Sequence, residues 1–137
     1  MNATAQSQLL LVARILFGVL FLVPGIRFAM TFGPTVAYFT RLGFPAPELM
    51  VWLAIIIEIV GGLVLITGWQ TKWASWLLIL YVVIATAMAH RFWEFDAAQQ
   101  FNQLNHLLKN LAIIGGLLYV VIQGPGVLSV DGRSKTA

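Results

Sequence analysis

Of the 137 residues, 60% are hydrophobic and only 9% are charged, with a formal net charge of +3. A soluble domain carries about 25% charged residues, so this chain has too few to cover a globular surface in water. The eight Lys and Arg residues are scattered singly, which argues against a nucleic-acid partner, and the absence of cysteine removes disulfides, thiolate ligands and iron–sulfur clusters from the chain's own chemistry.

A bilayer-spanning helix needs about 20 mostly apolar residues, and four such spans with short connections would use the whole chain as a single domain, 1–137. The expected class is therefore an all-α membrane protein, a four-helix transmembrane bundle. The first span is read at residues 9–29, interrupted by Arg14 and Arg27. It is taken as a retained helix rather than a signal peptide, because no positive side chain precedes it and no small-residue cleavage site follows. Pro24 and Gly25 are expected to bend or terminate it.

Residues 30–47 change character. Phe32, Val36, Phe39 and then Leu42 or Phe44 recur at helical spacing among polar residues, which predicts a short amphipathic connector with Tyr38 as an interfacial anchor. The second span, 49–67, carries Glu58 as its single charge. The third, 73–90, is flanked by Trp73 and Trp76 at one end and by His90, Arg91 and Trp93 at the other. Residues 92–104 are read as a second amphipathic connector on the same side as the first, and the fourth span as 105–122. The tail, VLSVDGRSKTA, reads as a short polar terminus. Gly61-Gly62-Leu63 recurs as Gly115-Gly116-Leu117, and each helix pair has its own connector, the pattern of two parallel repeats about an axis along the membrane normal.

A charge at the bilayer centre costs roughly 2.5–3.5 kcal/mol, so depth decides which charges matter. Glu58 falls at the midplane of its span. Arg14 and Lys109 each lie on the order of 6 Å from it along the normal, at 1.5 Å per residue, and either could neutralise it. An Arg14–Glu58 ion pair is the structural expectation. Along the fourth helix and the residues leading into it, Asn102, Asn105, His106, Lys109 and Asn110 share one helical face, and Ser75, Thr86 and His90 trace a line on the third that ends on the same side. Glu58, His90, His106, Lys109, Asn110 and Arg27 are thus expected to face one pocket on the connector side. His90 and His106 alone are a weak metal or haem signature, and no metal is expected. No nucleophile–base set, phosphate loop or dinucleotide fingerprint is present.

The segments LLLVARILFGVLFLVPGI, LGFPAPE, EIVGGLVLITG, HRFWEF, LLKNLAIIGGLL and GPGVLSVD, in this order over residues 9–131, resemble the DoxX family of small bacterial membrane proteins. The resemblance implies a multi-pass protein of the bacterial inner membrane with both termini cytoplasmic. The family takes its name from a subunit of an archaeal thiosulfate:quinone oxidoreductase, and other members are tied to redox stress. Glu58, His90, Phe92, Trp93, Lys109 and Asn110 match its polar and aromatic pattern, whereas Arg27 stands where many members have Gly. Two readings follow. In one the chain is the membrane component of an oxidoreductase or redox-stress system, binding a quinone-like molecule at Glu58, His90, Phe92, Trp93, His106, Lys109 and Asn110, with no cofactor of its own. Electrons would then come from a redox-protein partner. In the other it is a non-catalytic anchoring or assembly subunit, or a small-molecule carrier, in which the polar residues close the bundle. The bilayer is the common partner, with self-association a further expectation, and whether the chain is itself an enzyme stays open.

Overall fold

The structure, a computed structural model, describes residues 2–134. Four long helices dominate it: α1 (Ala3–Met30), α3 (Pro47–Thr67), α4 (Thr71–Ala89) and α5 (Ala97–Gln123). A shorter helix α2 (Phe32–Arg41) follows α1, a 3-10 turn (Phe92–Glu94) follows α4, and α6 (Val130–Ser134) closes the described chain. All four long helices are apolar and long enough to cross a membrane. The 21 residues of α3 span about 31 Å, the thickness of a hydrocarbon core. Their outward faces carry Leu16, Trp52, Ile56, Leu80, Leu111 and Ile122, all exposed. That is the surface of a protein whose solvent on those faces is lipid.

The inner face of α2 is the expected one. Phe39 is buried, Phe32, Val36 and Leu42 are half-buried, and the helix packs on Val51, Ala54 and Ile55 of α3. The second connector is shorter than expected. Asp96 accepts from the backbone N–H of Gln99 at 3.0 Å and caps α5, so residues 97–104 form the first two turns of that helix. Pro24 does not end α1 either, which runs on to Met30.

The helices pair as α1 with α3 and α4 with α5, joined through α3 and α4. Between α1 and α3 the contact is backbone to backbone. A Cβ placed on Gly18 would lie 2.7 Å from the Gly62 carbonyl, and one on Gly62 equally close to that of Gly18. Glycine at both positions is what permits this approach. Gly116 of α5 instead receives the ring of Phe17 from α1, and a Cβ on Gly115 would meet open space. The two Gly-Gly pairs thus do different work. The core along the bundle axis is Phe21, Leu65, Leu78, Ile79, Val82, Ile113, Leu117 and Val120.

The tail folds back onto the bundle. Asp131 Oδ1 and Oδ2 accept from the backbone N–H groups of Gln70 and Thr71 at 3.0 and 3.2 Å, and the Asp131 N–H donates to the Gly68 carbonyl at 3.1 Å. The turn between α3 and α4 is therefore capped from 60 residues away. Lys135, which would add positive charge to this end, lies outside the described residues.

Candidate functional site

Antiparallel packing fixes which residues of α1 and α3 can meet. With Gly18 against Gly62 and Gly25 against Glu58 and Ile59, Arg14 stands beside residues 65 and 66, about 12 Å along the helix from Glu58. Its guanidinium donates to the carbonyls of Leu65 (3.4 Å) and Ile66 (3.2 Å), and to that of Leu128 in the tail. The side chain is 2% exposed. The expected Arg14–Glu58 ion pair is not formed, because the helix register sets the two charges two turns apart. Arg14 binds helix-end carbonyls left without intrahelical donors.

Glu58, 7% exposed, takes its hydrogen bond from elsewhere: the Tyr81 hydroxyl of α4 donates to Oε1 at 2.7 Å. Oε2 is buried and has no partner among the described residues. A Cβ on Gly25 would come within 2.9 Å of the Glu58 Cβ, so the missing side chain there is what makes room for the carboxylate.

From Glu58 a cleft of about 290 Å³ runs toward the connector end. Leu20, Pro24 and Phe28 of α1, Phe39 of α2, and Phe44 form an apolar wall; Glu58, Tyr81, His90, His106, Lys109 and Asn110 contribute polar groups. Asn110 Nδ2 donates to Thr86 Oγ1 at 2.9 Å, and Thr86 in turn donates to the Val82 carbonyl at 2.6 Å. His90 and His106 stack with centroids 4.8 Å apart and 17° between planes. His90 Nδ1 is 2.9 Å from Gln103 Oε1, and Lys109 Nζ is 3.2 Å from His106 Nδ1. An ammonium can only donate, so in that contact the His106 proton sits on Nε2. Among the described residues no group of three or more His, Cys, Asp or Glu side chains converges as metal ligands do.

Five of the expected binding residues, Glu58, His90, His106, Lys109 and Asn110, thus line one cleft. Phe92 and Trp93 do not. They pack edge to face on each other at 5.2 Å in the 3-10 turn, with Trp93 61% exposed, and Phe28, Phe39 and Phe44 supply the aromatic wall instead. Arg27 also lies outside the cleft and is exposed. Tyr81 and Gln103 were not anticipated. A signal for Tyr81 existed, since it lies at the centre of its span as Glu58 does of its own. A second pocket, of about 160 Å³ and almost wholly apolar, adjoins the cleft between α3 and α4. The two share Phe39, Phe44, Tyr81 and Ala85, and Leu53, Leu77, Leu80 and Ile84 carry the second pocket out to the lipid-facing surface.

The DoxX family model matches residues 9–91, which takes in α1 to α4. The chain is 31% identical to inner membrane protein YphA of Escherichia coli K12, over 94% of this chain and 92% of that protein. To inner membrane protein YqjF of the same organism it is 32% identical, over 88% of each. It is also 32% identical to the ER-derived vesicles protein ERV29 of Saccharomyces cerevisiae, over 61% of this chain but only 27% of that protein. No solved structure matches. A bundle of four membrane-spanning helices, a family model covering more than half the chain and near full-length similarity to two inner membrane proteins lead to one assignment: the chain belongs to the DoxX family.

Proposed function

We propose that the cleft between Glu58 and the His90–His106 stack binds a small, lipid-soluble aromatic carbonyl compound of the quinone class, and that the protein is the membrane component of an oxidoreductase or redox-stress system. One observation carries this reading: a single cleft sets an aromatic and aliphatic wall against a cluster of hydrogen-bonding side chains at membrane depth, where unpaired polar groups cost several kcal/mol each. Lys109 and His106 are suited to donate to a ring oxygen, and Phe28, Phe39 and Phe44 to pack on the ring. The adjoining apolar pocket supports entry from the bilayer and would receive a hydrocarbon substituent. With no cysteine in the chain, electrons would come from a redox partner. Calorimetry in detergent with quinone analogues tests this. Wild-type protein should bind, and Lys109→Ala should weaken binding about tenfold, or about 1.4 kcal/mol. No binding of any quinone tested would end the reading.

The second reading, a non-catalytic anchoring or carrier protein, draws on a specific observation too. Asn110–Thr86, Lys109–His106 and Tyr81–Glu58 are bonded to one another, as groups that merely close a bundle would be. Purification followed by mass spectrometry and an absorption spectrum separates the two: a bound quinone or redox protein favours the first, a colourless ligand-free bundle the second. For orientation we propose that both termini are cytoplasmic in a bacterial inner membrane. Lys72 and Arg133 lie at the terminal end, whereas Arg41 and Arg91 at the other end are offset by Glu48, Glu94 and Asp96, and Arg91 pairs with Glu94 at 3.2 Å. A reporter fused to the C-terminus should be active only in the cytoplasm, and periplasmic activity would overturn this orientation.

A further inference from the structure

We propose that Glu58 Oε2 is the atom that hydrogen-bonds the ligand's ring oxygen, and that it makes the cleft selective for the hydroxyl-bearing hydroquinone over the corresponding quinone. This rests on the quinone reading of the cleft and sharpens it.

The argument starts from an imbalance within one carboxyl group. Oε1 accepts the Tyr81 phenol at 2.7 Å, whereas Oε2 is buried in the cleft-lining side chain with no partner among the described residues. A buried polar atom left without a partner is destabilising, because it has lost its hydrogen bonds to water and gained none in return. The groups that line the same cleft do not supply one. Asn110 Nδ2, the Lys109 ammonium and His90 Nδ1 bond to Thr86, His106 and Gln103, and none of them reaches Oε2. α1 brings only Gly25 and apolar side chains against Glu58. The partner of Oε2 therefore comes from a molecule that enters the cleft and draws the buried oxygen toward it.

The protonation state of Glu58 decides which partners Oε2 can take, and a hydroxyl suits both states. As a carboxylate, Oε2 only accepts; as a carboxylic acid with its proton on Oε2, it donates. A phenolic hydroxyl can both donate and accept, so it satisfies Oε2 in either state. A quinone carbonyl only accepts, so it bonds Oε2 only when the carboxyl carries its proton, and against a carboxylate it sets two acceptors face to face. Tyr81 already shows a phenol bonding the sister oxygen of the same group. A cationic donor such as an amine would satisfy Oε2 as well, but it would share the cleft with the Lys109 ammonium. The neutral hydroxyl avoids that repulsion, and its aromatic ring suits the Phe28, Phe39 and Phe44 wall.

The test uses full-length protein in nanodiscs, held anaerobic, with a decyl-substituted benzoquinone and its hydroquinone as probes. Wild-type protein should bind the hydroquinone about tenfold more tightly than the quinone, and the ratio should widen as pH is raised. In Glu58→Gln the amide presents a fixed donor where Oε2 stood. The ratio should then fall to within about twofold and its pH trend should vanish, while His90, His106, Lys109 and Tyr81 around the site are unchanged. If Glu58→Gln does not accumulate, Glu58→Asp keeps the charge but withdraws it by one methylene, and should lose about fivefold in hydroquinone affinity. Equal affinity of wild-type protein for both probes at every pH overturns this proposal and leaves the cleft reading standing. So does a preference that persists in Glu58→Gln, or unchanged hydroquinone affinity in Glu58→Asp. Failure of both probes to bind overturns the two together.

Discussion

Arg14 and Glu58 lie on neighbouring helices, both buried, and both were candidates for one ion pair. Their surroundings differ. At the terminal end the guanidinium is held by the carbonyls of Leu65, Ile66 and Leu128, and Asp131 caps the adjacent turn. Toward the connector end Glu58 has one bond, from Tyr81, and an oxygen with none, at the head of a cleft. The first arrangement ties α1, α3 and the tail together, although Arg14 Nε stays buried without a partner among the described residues. The second leaves a buried acceptor without a partner in a side chain that lines the cleft. Neither burial of a charge in membrane nor one unbonded atom is therefore by itself a sign of function; what sets Glu58 apart is that it lines a cleft.

If that contrast holds, disrupting the terminal end should harm stability more than disrupting the cleft. Arg14→Leu strips three carbonyls of a charged donor and should cost on the order of 3 kcal/mol, seen as loss of monodisperse protein on heating before size-exclusion chromatography. Equal loss in Glu58→Leu would erase the distinction between the ends. Asp131→Ala removes the acceptor for Gln70 and Thr71 and should cost about 1.5 kcal/mol in the same assay. Glu58→Leu leaves the Tyr81 hydroxyl without its acceptor but also removes an unsatisfied oxygen. We expect a net loss of about 1 kcal/mol, and less for Glu58→Gln, which still accepts from Tyr81. A Glu58→Leu protein as stable as wild type would show that the Tyr81 bond contributes nothing. The smallest effect belongs to Trp93→Ala, expected to change stability by less than about 0.5 kcal/mol and quinone affinity by less than about twofold, since Trp93 lies outside the cleft. A large loss of affinity there would return Trp93 to the site.

Much of this was readable in the chain. Apolar runs of about 20 residues between Gly, Pro and Trp markers report spans directly, because each residue in lipid must be apolar or bonded. The spacing of Phe32, Val36 and Phe39 gave the inner face of α2, and the spacing of Asn105, His106, Lys109 and Asn110 gave the polar side of α5. Two local placements differ from the expectation, each for its own reason. Residues 97–104 are too polar to read as a span, yet the Asp96 cap starts α5 there, since a helix can extend past the hydrocarbon. Phe92 and Trp93 looked like ring-stacking partners by composition, but the 3-10 turn directs them at each other.

The sequence by itself determined the number of spans, the end of the bundle that is polar, and the midplane depth of Glu58, because these follow from apolar run length and helical periodicity along one chain. The partners were decided only in three dimensions. Gly18 against Gly62 sets how α1 slides along α3, and a slide of two turns separates an ion pair from the arrangement found, with Arg14 on carbonyls and Glu58 on Tyr81. Periodicity within a helix fixes which face a residue occupies. It carries no information on the axial register between helices, and that register is what left Glu58 Oε2 without a partner.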